Sequence, residues 1–307
     1  MNNLYYSEKE FEKIINIFSS HNVKLEFENP ELLCSAIQEI SKYCYSKELD
    51  LNFKKYNELV CLEFDVLNTK MLTIGKFYPN SSLSICSYPE VYDHLKTINK
   101  IFSFYPCAVI DYFGGFAVGT SADNNKLEKF YYWLSGKILF EIAEESWDDV
   151  LSIFNISQKN INFLKWDVNY TSLSYIGFTP DGLLDNIGFS VPIEKFFGRN
   201  PTDEYSNYTA IEKVCSCLSN HMEEITLQYS AKNQSYFGIE VFFDTVEELS
   251  NLYYLMHKNS VICDVEYKNF TEMNISSEYM KFIVKFRWKC ENTFSTKLYL
   301  EKIPENN

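Results

Sequence analysis

The chain has 307 residues, 46% of them apolar and 17% aromatic, and a formal charge of -14 with a pI near 4.8. That acidity excludes a nucleic-acid or anionic-membrane surface, because phosphate-rich partners need a basic footprint, so an anionic ligand has to be gripped by locally placed cations. The 25 Phe and 23 Tyr favour broad half-buried strands over a helical bundle, and the nine scattered cysteines, with no CxxC pair, read as free thiols of a reducing compartment.

In chain order, Ser7-Glu8-Lys9-Glu10 forms a capping-box pattern, and Phe11, Ile14, Ile15 and Phe18 follow at helical spacing, which predicts a first helix. Asn29-Pro30-Glu31 opens a second, with Leu32, Leu33, Ile37 and Ile40 as its apolar stripe. The period then changes to two: Val60, Leu62, Phe64 and Val66 alternate with Leu59, Cys61, Glu63 and Asp65, as a strand with one dry face requires. Beyond it, helices near 89–104, 143–154, 204–220 and 246–258 separate strand pairs near 107–134, 161–191, 223–243 and 261–303. Gly114-Gly115-Phe116 lacks the lysine and spacing of a phosphate loop and reads as a turn. No Gly/Ser/Pro linker divides the chain, so one domain over 1–307 is expected. Its class is α+β: antiparallel strands with outer helices, closed into a barrel or left as a helix-backed open sheet. No basic leader precedes an apolar stretch and no apolar run is long enough to span a bilayer, so a cytoplasmic monomer without nucleic-acid or membrane partners is expected. Asn169-Tyr170-Thr171 and Asn207-Tyr208-Thr209 match the glycosylation pattern, which matters only in a secreted protein.

The clearest chemical pattern lies at 281–289, where Phe282, Val284, Phe286 and Trp288 alternate with Lys281, Ile283, Lys285, Arg287 and Lys289. After a turn at Glu291-Asn292-Thr293, a second strand offers Lys297, Tyr299 and Glu301 on one face and Leu298 and Leu300 on the other. Cations crowded on the inner face of a barrel repel one another unless an anion joins them, which suits a phosphate or diphosphate. On an edge strand the same lysines would instead guard against aggregation. Lys129, Tyr131 and Trp133 share a strand face, so rings stand beside a cation; packing is the commoner role of such rings, and shielding of a carbocation the rarer one. Glu63 and Asp65 share a face that suits either Mg²⁺ or water, Asp148-Asp149 is a weaker metal signal, and His21, His94, His221 and His257 have no ligand spacing.

At these residues the chain resembles the soluble aromatic prenyltransferases of the CloQ/NphB type, whose ABBA fold is an antiparallel barrel ringed by helices. Lys129-Phe130-Tyr131 falls where that family has a diphosphate-binding lysine followed two residues on by an active-site aromatic. Lys297 falls on another diphosphate-binding lysine, and Asp167 with Ser174 and Tyr175 resembles a family strand that usually carries Asn where Ser174 stands. Two positions depart: Glu63 stands where metal-dependent members have Asp, and Glu240 lies near an expected Arg. The resemblance implies transfer of a dimethylallyl or geranyl group from its diphosphate to an electron-rich phenol, indole or aromatic peptide side chain. Lys129, Lys285, Arg287 and Lys297 would hold the diphosphate, Tyr131, Tyr175 and Tyr299 would screen the cation, and Asp167 would take the ring proton. No cofactor is required on this reading, with Mg²⁺ optional. The competing expectation is a non-catalytic barrel that binds an anionic or aromatic ligand.

Overall fold

The computed structural model describes residues 59–67, 72–79, 89–103, 109–118, 127–135, 152–153, 172–179, 181–192, 213–214, 216–218, 224–233, 235–273, 275, 280–290 and 293–302. The helices predicted from Ser7 and from Pro30 lie outside them, as do most of 143–154 and 204–220. In chain order the elements are β1 (Leu59–Asp65), β2 (Leu72–Pro79), α1 (Pro89–Phe102), β3 (Val109–Val118), β4 (Leu127–Ser135), β5 (Ser172–Phe178) and β6 (Leu184–Pro192), then β7 (Glu224–Ser230), β8 (Ser235–Phe243), α2 (Val246–Lys258), α3 (Asp264–Glu272), β9 (Met280–Cys290) and β10 (Thr293–Lys302). Each strand pairs antiparallel with its sequence neighbour, and β1 pairs with β10, so the ten strands form a closed barrel. The helix-backed open sheet is thereby set aside. No described helix is long and apolar enough to cross a membrane.

Three expectations need correcting. β2 was not foreseen; it exists because β1 and β3 supply ladder partners on both sides. Gly114 and Gly115 are not a turn but the middle of β3, opposite Phe77 and Lys76 on one side and Tyr131 and Phe130 on the other. α3 interrupts a stretch read wholly as strands, and its burial of Glu266 and Phe270 four residues apart shows the helical period.

Several strands are dry on their outward face as well as their inward one. On β9, Phe282, Val284 and Phe286 point outward yet are fully buried, and on β4 Phe130 and Tyr132 are too. α1 packs on that outer surface through His94, Ile98 and Ile101, one helical stripe. α2 starts at Thr245, whose hydroxyl accepts from Glu248 N at 3.2 Å, and buries Leu249, Leu252, Tyr253 and Met256. With α3 it clamps the seam where first and last strands meet. Tyr253 stacks on Phe270 with centroids 3.8 Å apart and donates from its hydroxyl to Thr296 Oγ1 at 3.3 Å. Glu266 accepts from Thr296 N at 3.1 Å and from the Thr296 hydroxyl, Asn269 donates to Val66 O at 2.9 Å, and Val66 N donates to Thr296 O at 3.2 Å. The buried carboxylate thus satisfies a backbone donor at the end of the β1–β10 ladder.

His94 couples this packing to pH. It is fully buried, stacks on Phe178 with centroids 4.2 Å apart and shares a 3.0 Å hydrogen bond with Tyr132 OH through Nδ1, and its Nε2 has no partner among the described residues. Burial pushes the imidazole down to about 4. The folded state therefore binds fewer protons than the unfolded one below the free imidazole value, and stability falls as pH drops from about 6.5 towards 4, by about 3 kcal/mol at full protonation. Urea titrations at pH 7 and pH 5 should show this acid loss in the wild type and a loss smaller by at least half in His94→Gln; equal losses would remove His94 as the cause.

Candidate functional site

The register of the barrel places one set of alternate residues inside. Following the ladder, Lys297 lies opposite Lys285, Lys285 opposite Glu240 and Glu240 opposite Thr226. One rung over, Arg287 lies opposite Gly238, Gly238 opposite Gln228, Gln228 opposite Gly188, Gly188 opposite Tyr175 and Tyr175 opposite Trp133. The cationic face of β9 therefore points into the lumen while its apolar face points out. Lysines that guard an exposed edge would be solvated, whereas Lys285 is only 5% exposed.

The lumen is graded along its axis. Up β4 the inner residues run Lys129, Tyr131, Trp133, and β9, which runs the other way, gives Arg287, Lys285, Ile283 in the same direction. Four cations thus gather below the rings, and beyond Ile283 and Tyr299 the same alternation brings Lys281 and Glu301 opposite each other. Between them Tyr131, Tyr175 and Tyr299 form a buried cluster with Trp133 and Ile283 packed on it. The Tyr131 and Tyr175 rings meet edge to face with centroids 5.5 Å apart. Two glycines make this packing possible: a Cβ on Gly188 would lie 2.3 Å from the Tyr175 ring, and one on Gly177 would lie 2.3 Å from Asn186 Oδ1.

Each of three predicted cations meets a carboxylate. Lys285 Nζ lies 2.5 Å from Glu240 Oε1 and donates to Tyr299 OH at 2.6 Å, Lys129 Nζ lies 2.6 Å from Asp185 Oδ2, and Lys297 binds Glu63. Gln228 Nε2 donates to Glu240 Oε1 at 2.5 Å and to Tyr175 OH at 2.8 Å, and Asn186 Nδ2 donates to Tyr131 OH at 3.1 Å. Burial raises the Glu63 carboxyl, but the fields of Lys285, Lys297 and Arg287 outweigh it and hold the group at about 2. Burial pushes Lys285 well down, helped by Arg287, Lys297 and Lys129 and opposed by Glu63. The same desolvation raises the phenols of Tyr131, Tyr175 and Tyr299, which stay neutral.

Lys129, Lys285, Arg287 and Lys297, with Tyr131, Tyr175 and Tyr299, are thus brought together, and Asp167 lies outside the described residues. Ser174 falls at a register shift in β5, between Leu173 and Tyr175. Glu63 is engaged by Lys297 rather than paired with Asp65, whose Oδ1 accepts from Leu67 N at 2.9 Å. No group of three or more metal-ligating side chains occurs among the described residues. Asp185, Asn186 and Gln228 were missed, although Asn186, Gly188 and Ser190 alternate with Ile187, Phe189 and Val191 in a pattern that marks a polar face.

No protein-family profile and no curated protein matches the chain. Among solved structures, 5-dimethylallyltryptophan synthase from Streptomyces coelicolor matches at 7% identity and a TM-score of 0.45, covering 94% of this chain and 97% of that one. The apo form of the prenyltransferase PriB matches at 8% and 0.48 over 94% and 96%. NotF in complex with brevianamide F and DMSPP matches at 10% and 0.44 over 93% and 92%. Likeness at this level says nothing of the lumen's chemistry, which its own side chains decide.

Proposed function

We propose that this barrel transfers a prenyl group from an allylic diphosphate to an electron-rich aromatic acceptor. The observation that carries this reading is the graded lumen: Lys129, Lys285, Arg287 and Lys297 at one end, with the Tyr131, Tyr175 and Tyr299 cluster directly above. A prenyl diphosphate has the matching polarity, with its anionic head among the cations and its apolar chain among the rings. As the C–O bond ionises, the cations stabilise the departing diphosphate in a site shielded from water. The tyrosine rings, held neutral, present their negative faces to the allylic cation and keep water from it. The acceptor ring then attacks the cation and loses a proton. Charge recognition here rests on side chains, so the reading requires no cofactor and leaves Mg²⁺ optional.

Incubation with dimethylallyl or geranyl diphosphate and a panel of phenols, indoles and aromatic peptides should release pyrophosphate and yield a prenylated product detectable by mass. Absence of binding to any prenyl diphosphate would sink the proposal. A second reading, a barrel that binds an anionic or aromatic ligand without turnover, is favoured by the ion pairs, because Asp185, Glu240 and Glu63 already partner three of the cations. Binding with no pyrophosphate release would select it.

A further inference from the structure

We propose that the Lys285–Glu240 pair shares one proton in the free barrel and holds two once a diphosphate is bound, so that the anion enters the lumen together with a proton from solvent; the inference rests on the diphosphate site of the reading above. The proton counted is the one that makes the amine an ammonium or the carboxylate an acid. Four cations line this end of the lumen, and the described residues match them with four carboxylates. Lys129 Nζ lies 2.6 Å from Asp185 Oδ2, Lys285 Nζ lies 2.5 Å from Glu240 Oε1, and Lys297 binds Glu63. Asp65 stands opposite Lys297 in the β1–β10 ladder, with one oxygen held by Leu67 N. A fully ionised cluster therefore offers a diphosphate no excess of positive charge, and each cation that the anion takes leaves a carboxylate without its counter-ion.

What becomes of that carboxylate differs between the pairs. The Lys129 and Lys297 side chains are 30% and 25% exposed, so water and the lysines themselves can adjust to a new anion. Lys285 and Glu240 are both buried, and Gln228 Nε2 holds Glu240 Oε1 at 2.5 Å, so this carboxylate neither swings out nor gains solvent. A buried carboxylate that gives up its cation to an adjacent anion takes up a proton instead. The acid then has an O–H to donate to a phosphate oxygen, which replaces a repulsion with a hydrogen bond. The proton returns to solvent when the anion leaves, so turnover needs no net supply of it.

The groups around the pair do not take the proton in its place. Arg287, Lys297 and Lys129 are cations already, and Tyr131, Tyr175 and Tyr299 are neutral phenols that carry theirs. Glu63 is hydrogen-bonded by both Lys297 and Tyr299. β7 brings Thr226 and Gln228 to the pair, with Glu224 one same-face position further on, exposed and bound by Ser190 Oγ. The same-face register positions of β2 and β3, Thr73, Gly75, Gly114 and Phe116, hold no ionisable residue. Burial loosens the hold of Lys285 on its own proton, but the count stands: the free pair has one proton whether nitrogen or oxygen carries it.

The test is calorimetry of dimethylallyl thiolodiphosphate with the full-length wild type, without acceptor, in buffers of one pH and different ionisation enthalpy. The slope of observed heat against buffer enthalpy counts the protons taken up. Near pH 8 the ligand's own phosphates are ionised, and the wild type should take up about 0.5–1 proton per ligand. Its affinity should fall about 3–10-fold per pH unit between about 7 and 9, because the bound state holds more protons than the free one. Lys285→Arg/Glu240→Gln, fixed in the fully protonated form, should bind with an affinity flat over that range and with less than about 0.2 proton taken up. Lys285→Met/Glu240→Leu, which has no titrating group at the pair and guards against a poorly folded Arg/Gln variant, should bind more weakly and also without uptake. Glu63→Gln should keep the uptake of the wild type. Wild-type binding with flat affinity and no uptake would overturn the coupling and leave the prenyl-transfer reading standing. Uptake that persists in both double variants, or that disappears in Glu63→Gln, would overturn its assignment to this pair. Absence of wild-type binding across the whole pH range would overturn the prenyl-transfer reading and the coupling with it.

Discussion

Lys285→Met should destabilise the protein by about 3–5 kcal/mol in urea titration at neutral pH, the cost of leaving one member of a buried ion pair without its partner. Lys285 is 5% exposed and Glu240 is 4% exposed, so water has little access to solvate the stranded carboxylate. Gln228 would remain as a donor to Glu240, which limits the loss, and Tyr299 would lose the bond from Lys285. The informative comparison is the double variant Lys285→Met/Glu240→Leu. A buried pair replaced by apolar side chains of similar size is neutral or stabilising in many proteins, so the double variant should recover at least 2 kcal/mol of the single variant's loss, about half of it. It should not recover anion binding. A single variant within about 1 kcal/mol of the wild type would mean that the pair is solvated, as surface pairs are.

Arg287→Met/Lys297→Met should weaken binding of dimethylallyl thiolodiphosphate by about 10²–10⁴-fold in calorimetry, taking about 1.5–3 kcal/mol for each charged hydrogen bond lost. Lys297→Met also strands Glu63, so the effect on folding has to be separated from the effect on affinity. Glu63→Gln provides that separation. On its own it releases Lys297 from its internal partner and should tighten anion binding; combined with Lys297→Met it removes both charges and should fold like the wild type while binding weakly. Because the cluster is buried, added salt should alter these affinities less than it would for surface lysines. Tighter binding by the double-cation variant, or weaker binding by Glu63→Gln, would contradict a diphosphate site in this lumen.

The strand pairs, the helix over 246–258 and the inward cationic face of β9 were legible in the sequence because alternation with period two survives wherever one face is dry. What the sequence did not carry is which partner each strand finds. Gly114 and Gly115 read as a turn because glycine has low strand propensity, yet β2 and β4 hold them in register from both sides. Asn186 and Gln228 went unremarked. Only closure of the sheet makes their face an interior, so their hydrogen bonds to Tyr131 and Tyr175 had no local signal. The ion pairs were hidden for the same reason: Glu63 and Lys297 are 234 positions apart, and Asp185 lies far from Lys129 in the chain. Glu240 was noticed as a missing cation, and the structure shows it to be the partner of one.

The β1–β10 seam sets the order in which the protein can become competent. Its two strands lie more than 230 residues apart, as the contact between Glu63 and Lys297 shows, so its formation must pay a large loop-closure entropy that neighbouring hairpins do not. Hairpins such as β5–β6 and β7–β8 can form locally, but an open curl of strands offers no enclosed lumen and leaves the inner faces of β1 and β10 wet. During synthesis the final hairpin would be the last described part to emerge, and it brings Lys285, Arg287, Lys297 and Tyr299 together with the residues that α2 and α3 clamp. Ligand binding would therefore appear abruptly with seam closure rather than growing strand by strand, and a diphosphate that bridges the cations of β9 and β10 to Lys129 on β4 would act as a late fastener of the folded state.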